Sequence, residues 1–214
     1  MDGDIADIPG IKQIAAKHNG VIVCDDAHAL GVIGAMGIGT ASHFNMLDAV
    51  DVQIGTFSKS LASLGGFVAA SHQVIEYLKH TSRSIMFSAS MTPAATASVL
   101  AALEIIRDEP ERLAQLWTNT RYALQHLKGL GFDVGNTSSA IIPLFIRDND
   151  KTFMMANNCL RDGVFVNPIV SPAVDPINSM LRISVMATHT PAQIDRLVEV
   201  IYKNALKLEI EGVG

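Results

Sequence analysis

The chain has 214 residues, 49% of them hydrophobic and 17% charged, with 16 Lys and Arg against 21 Asp and Glu for a formal net charge of −5. That length suits one large domain or two small ones, and that composition buries a real core, which excludes a disordered chain. No two Lys or Arg are adjacent and no apolar stretch reaches the ~18 residues a bilayer span needs, so neither a nucleic-acid surface nor a membrane span is expected.

Two cysteines, Cys24 and Cys159, lie far apart, which fits a reducing compartment rather than a disulfide scaffold. Met1-Asp2-Gly3-Asp4 has neither a basic nor an apolar signal segment, so the expected location is the cytoplasm. The first helix runs from Ile8 to His18, with Pro9 near its start and Asn19-Gly20 as its stop. Val21-Ile22-Val23-Cys24 then reads as a strand buried on both faces, as in a parallel sheet. The glycine-dense segment from Gly31 to Gly39 reads as a loop. Strands follow at Val52–Phe57 and Gly66–Ala70, and helices at Gln73–Lys79 and Pro93–Arg107.

Asp108-Glu109-Pro110 marks a break, and a domain boundary is expected near 108. Leu113, Leu116, Trp117, Leu124 and Leu127 mark one face of the next helix, which ends near Gly129 or Gly131. Beyond it the pattern predicts a strand at Ala140–Ile146, a helix at Thr152–Arg161, and strands at Val164–Asn167 and Leu181–Met186. The last helix opens with Thr190 as cap, Pro191 at its first position and Gln193 three residues after the cap. Nine methionines are expected as core filler. Residues 1–108 resemble part of an α/β layered domain and 109–214 a small α+β domain. A chain that begins inside a βα pattern is expected to be the C-terminal portion of a longer protein.

Three features could carry chemistry. Asp25-Asp26-Ala27-His28 ends a strand, and ligands of open α/β sheets bind at that edge. An acid capping the next turn, a metal ligand acting with His18 or His43, and a helicase-like acid box all fit; the last needs a G-x-x-x-x-G-K-[ST] loop, which the chain lacks. Lys59 is the sole Asp, Glu, Lys or Arg between Val52 and Ile75. Apolar neighbours without an acid favour the neutral amine that Schiff-base chemistry requires, though a lysine reaching into water fits equally. Thr56, Ser58 and Ser60 add hydroxyls that suit an anion such as phosphate, or an ordinary turn. Arg182 is the sole charged residue between Pro176 and Ile194, and its guanidinium suits a carboxylate, either an internal Asp or a substrate's.

Taken together, Asp25 to Gly34, then Gly55-Thr56-Phe57-Ser58-Lys59-Ser60 with Gly65-Gly66, then Leu181-Arg182-Ile183-Ser184 through Thr190 resemble the α-oxoamine synthases. These are pyridoxal 5'-phosphate enzymes of fold type I. The resemblance implies part of the large α/β/α domain plus a small C-terminal α+β domain. It implies that Asp25 pairs with the cofactor's ring nitrogen, that His28 bonds its ring hydroxyl, and that Thr56 holds its phosphate. Lys59 would form the internal aldimine and move the α-proton. Ser88 would reach the phosphate of a neighbouring subunit, which implies a homodimer, and Arg182 would bind the amino acid's carboxylate. The implied reaction condenses an amino acid with an acyl-CoA, with decarboxylation; no metal takes part. Val166-Asn167 and His189 to Ile194 favour a serine-using member over glycine- or alanine-using ones. Gly37-Ile38-Gly39 departs from the family's usual Gly-Arg-Gly, and Leu61-Ala62-Ser63-Leu64 from a more glycine-rich stretch. The family's ring-stacking histidine and glycine-rich phosphate segment lie upstream of the matched region. An inactive portion that keeps only dimer and cofactor-contact surfaces is the competing reading.

Overall fold

The computed structural model describes residues 1–213. The chain divides into two compact units, one of Ala6–Leu113 and one of Met1–Ile5 with Ala114–Gly214.

In the first unit, α1 (Ile8–His18) begins where the Asp7 carboxylate accepts from the Gly10 N–H at 3.2 Å, and it stops at Asn19 in the left-handed region. A sheet of order β1-β2-β3 follows, with β1 at Val23–Asp25, β2 at Val52–Thr56 and β3 at Gly66–Ala70. β1 and β2 are parallel, placing Asp25 opposite Ile54; β3 returns antiparallel. β1 begins two residues later than its apolar run suggests and is not buried on both faces. Cys24 is buried, but Val21 and Val23 are 71% and 58% exposed. Among the described residues β1 pairs with β2, and nothing covers its Val23 face.

The glycine-dense loop contains a single turn of helix at Ala35–Gly37 and α2 (Thr40–His43). α3 (His72–Thr81) extends the predicted helix by a residue or two at each end, and a further turn, α4 (Arg83–Met86), follows Ser82. α5 (Pro93–Asp108) is capped by Thr92, whose hydroxyl accepts from the Ala95 N–H at 3.2 Å. Two small cores hold the unit. Ile8, Cys24 and Ala49 form one, and Phe57, Leu61 and Val99 the other.

The second unit holds most of α6 (Glu111–Gly129), then β4 (Ile141–Phe145), α7 (Asn149–Arg161), β5 (Asn167–Ile169), β6 (Met180–Ser184) and α8 (Pro191–Lys207). Its sheet has order β4-β6-β5 with both pairings antiparallel. The core beneath is larger and includes Ile142, Leu144, Met155, Leu181 and Ile201, none of them measurably exposed. Burying each such side chain contributes about 1.5–3 kcal/mol. Two of the three predicted strands in this region are displaced. β5 starts only at Asn167, because the Val164 N–H still bonds the Cys159 carbonyl at 2.8 Å and wraps the end of α7. β6 ends at Ser184, because Met186 belongs to a turn in which its N–H donates to His189 Nδ1 at 3.1 Å. The capping box on α8 forms with both halves, Thr190 and Gln193.

The methionines are not all core filler. Met155 and Met180 are buried, but Met36, Met86, Met91, Met154 and Met186 are exposed, since they fall in loops and on outer helix faces. Among the described residues no helix is long and apolar enough to cross a membrane.

Candidate functional site

Parallel pairing brings the C-terminal ends of β1 and β2 to one sheet edge, the edge at which open α/β sheets bind ligands. Asp25 is the last residue of β1 and Thr56 the last of β2. His28 lies three residues beyond the first strand and Lys59 three beyond the second. Asp25, His28 and Lys59 are exposed and Thr56 is half-buried.

Each of these side chains stands on a fixed turn. Asp25 Oδ1 accepts from the Ala27 N–H at 2.9 Å, and the Asp26 carbonyl accepts from the N–H groups of Ala29 and Leu30, both at 3.0 Å. Around Lys59, the Phe57 N–H donates to the Gly65 carbonyl at 3.0 Å and the Ala62 N–H to the Lys59 carbonyl at 3.1 Å. Thr56 Oγ1 and Ser58 Oγ are 3.0 Å apart, and the Ser58 N–H reaches Thr56 Oγ1 at 3.4 Å, so two hydroxyls and an amide cluster at the strand end. The two turns are joined: Ser60 Oγ donates to the Leu30 carbonyl at 2.6 Å. That approach requires glycine at Gly31, where φ is +77° and a Cβ would lie 2.9 Å from the Ser60 side chain.

Sequence reasoning passed over the residues beneath this edge. Asp26 is 1% exposed and accepts from Thr40, Gln53 and Cys24. Burial and the neighbouring Asp26 and Asp25 carboxylates push the Cys24 thiol up to about 11. The signal available was alternation, since an acid following a strand-end acid must point the other way. Exposure of Lys59 differs from its expected apolar surroundings, because the apolar residues near it in sequence, Phe57 and Leu61, turn inward instead. Ser88 is exposed between α4 and α5.

Arg182 lies in the second unit, half-buried on the central strand β6, opposite Pro143 of β4 and Asn167 of β5. Asp195 accepts from the Tyr122 hydroxyl at 2.7 Å, and Asp175 accepts from the Ile177 N–H at 3.1 Å. For the metal reading, His18 ends α1, His43 packs edge-on against Phe44, and among the described residues no group of three His, Cys, Asp or Glu gathers to hold an ion.

The first unit's edge thus carries a primary amine, a carboxylate, an imidazole and two clustered hydroxyls.

The family described as aminotransferase class I and II matches residues 1–201. A serine palmitoyltransferase from Sphingobacterium spiritivorum is 56% identical over 100% of this chain and 53% of its own length. An 8-amino-7-oxononanoate synthase from Bacillus pumilus is 41% identical over 98% of this chain and 54% of its own. The structure of a lysine-to-alanine variant of serine palmitoyltransferase from S. paucimobilis, with a bound PLP–myriocin aldimine, superposes with a TM-score of 0.93 at 31% identity, covering 98% of this chain and 53% of that one. The chain thus spans about half the length of the relatives it matches, and its fold is that of the fold type I pyridoxal-phosphate transferases. The α-oxoamine synthase resemblance agrees with these relatives, and the match across residues 1–201 shows that the chain belongs to the class I and II aminotransferase family.

Proposed function

We propose that this chain belongs to a pyridoxal-phosphate-dependent acyltransferase that condenses an amino acid, serine first, with an acyl-CoA and releases CoA and CO2. One observation carries the reading: the parallel β1–β2 pair presents Asp25, His28, Thr56 and Lys59 at a single edge. The names of its relatives point the same way. On this reading residues 1–108 are part of the cofactor domain and 109–214 the small domain.

The cofactor, when bound, withdraws electrons from the amino acid's α-carbon. The chain's own residues do the rest. The Asp25 carboxylate holds a proton on the ring nitrogen by charge pairing. The His28 imidazole donates toward the ring hydroxyl oxygen and orients the ring. Thr56 Oγ1 donates to the phosphate. Lys59 would hold the cofactor through its amine and, with that amine free, would move the substrate's α-proton. Arg182 clamps the substrate carboxylate with two parallel N–H donors. Ser88 serves the phosphate of a second subunit, so the active form is a homodimer. The location is the cytoplasm, and the product of serine and a long acyl-CoA is a sphingoid precursor.

The glycine- and alanine-using members, 2-amino-3-ketobutyrate CoA ligase and 8-amino-7-oxononanoate synthase, are the second reading, favoured by the 41% identity to one of them. Titrating the cofactor-loaded protein with serine, glycine and alanine, followed by acyl-CoA and a thiol assay for released CoA, decides between them. Serine should give the largest spectral change and the fastest CoA release. Release with alanine or glycine alone would move the assignment to the second reading, and release with none would remove the acyltransferase function.

A further inference from the structure

Asp26 is a buried acid to which the reaction assigns no role. Asp25 ends the strand and its side chain is exposed; Asp26, next in the chain, is 1% exposed. Successive side chains of an extended segment leave it on opposite sides, so whatever fixes Asp26 inward fixes Asp25 outward. The inward carboxylate is held tightly. Oδ1 accepts from Thr40 Oγ1 at 2.5 Å and from the Thr40 N–H at 3.1 Å. Oδ2 accepts from Gln53 Nε2 at 2.8 Å, and the Cys24 thiol lies 3.6 Å from Oδ1.

These donors are neutral, and they come from three places: β1, β2 and the start of α2. One carboxylate therefore ties the end of β1 both to its neighbouring strand and to the glycine-rich loop. Gly39 leaves the space for it. Its φ is +126°, and a Cβ there would collide with Asp26 Oδ2. The Asp26 backbone is fixed as well, its N–H donating to the Ile54 carbonyl at 2.8 Å while its carbonyl holds the turn that carries His28. A buried carboxylate is costly to keep unless its hydrogen bonds are complete, so this arrangement suits a demand for precise geometry more than for stability.

We propose that Asp26 is a positioning residue for the cofactor's ring: its buried carboxylate sets the direction of the Asp25 carboxylate and the His28 imidazole. The proposal rests on the pyridoxal-phosphate reading above.

The test uses the purified protein loaded with pyridoxal phosphate, wild type first, then Asp26→Asn and Thr40→Val. Thr40→Val keeps the side chain's shape and the Asp26 carboxylate and removes one hydroxyl donor to it, which gives a second and milder variant. Melting temperature, visible circular dichroism of the bound ring, and kcat and KM for serine are measured on each. Both variants should keep the cofactor on Lys59 but alter the visible dichroism, which reports ring orientation. Misplaced catalytic groups should lower kcat about tenfold or more while KM for serine stays close to wild type. Variants that melt earlier but keep wild-type dichroism and kcat would overturn the positioning role. A wild-type protein that forms no coloured adduct would overturn the cofactor reading itself, and the proposal with it.

Discussion

The strand-end positions of Asp25 and Lys59 are legible in sequence: Asp25 closes the apolar run Val21–Cys24, and Lys59, three residues beyond β2, is the sole Asp, Glu, Lys or Arg between Val52 and Ile75. Asp26 is not legible in the same way: in a run of two acids nothing local says which turns inward, and the answer depends on Thr40 and Gln53, 14 and 27 residues away. Arg182 stands out by isolation, whereas its place on the central strand β6, opposite Pro143 and Asn167, comes from pairings that sequence patterns do not show. A charge-assisted hydrogen bond contributes about 1.5–3 kcal/mol, so Arg182→Ala should weaken serine binding by roughly one to two orders of magnitude while leaving the Lys59 adduct's spectrum unchanged. Arg182→Lys should recover part of the loss, since an ammonium lacks the planar fork. Spectral titration and melting curves separate this from a structural role, for which the variant would lose thermal stability at unchanged serine affinity. The thiols offer a second check at this scale. Burial pushes Cys24 and Cys159 up to about 11 each, with nearby Asp26 and Asp162 adding to it. At pH 7–8 both should therefore react slowly with a thiol reagent in the native protein and quickly once it is unfolded. Rapid native labelling would contradict the buried placement.

At the scale of elements, caps were the most readable feature and strand ends the least. Thr190-Pro191 with Gln193 announces α8 because the capping box needs only those neighbours. β5 and β6 depart from the apolar pattern because the Val164 N–H bonds back to the Cys159 carbonyl just beyond α7, and because Met186 is held in a turn, neither of which apolar periodicity can register. That turn has its own anchor. The Asn119 amide, on α6, donates to the carbonyls of Met186 at 2.9 Å, Ala187 at 3.4 Å and His189 at 2.8 Å. Asn119→Ala would remove these part-buried bonds and should cost about 0.5–1.5 kcal/mol. Thr190→Ala should cost about 1 kcal/mol by removing the helix cap. Urea unfolding measures both. Equal stability of the two variants with wild type would mean that water replaces these bonds without penalty.

For the molecule as a whole, the α/β class was readable from the succession of elements, whereas the extent of open apolar surface in the first unit was not. Val23, Ile85, Phe87 and Leu100 are all more than half exposed, and an open groove of about 430 Å³ lined by Phe67, Ile75, Leu78 and Ile85 lies beside β3. Sequence patterns report that a residue is apolar, not what covers it. On the homodimer reading, sedimentation should give twice the monomer mass, and Phe87→Asp should weaken the association; a wild-type monomer at micromolar concentration would refute it. Acid stability follows from Asp162. The Asn204 amide at 2.9 Å, then the Lys203 ammonium at 3.1 Å, hold its carboxyl below the usual carboxylate range. A group depressed on folding adds stability that is present above its unfolded value, near pH ~4, and is lost as pH falls through its folded value. Asp162→Asn should therefore destabilise the protein at pH 7 but leave its stability at the lowest pH near wild type.

The central claim is that this sheet edge holds pyridoxal phosphate through Lys59. The most direct measurement is borohydride reduction of the protein incubated with pyridoxal phosphate, followed by peptide mapping by mass spectrometry, with Lys59→Ala in parallel. The expected result is one phosphopyridoxyl group, on the peptide containing Lys59, and none in the variant. Labelling spread over surface lysines such as Lys79 and Lys128, or unchanged labelling in Lys59→Ala, would contradict it.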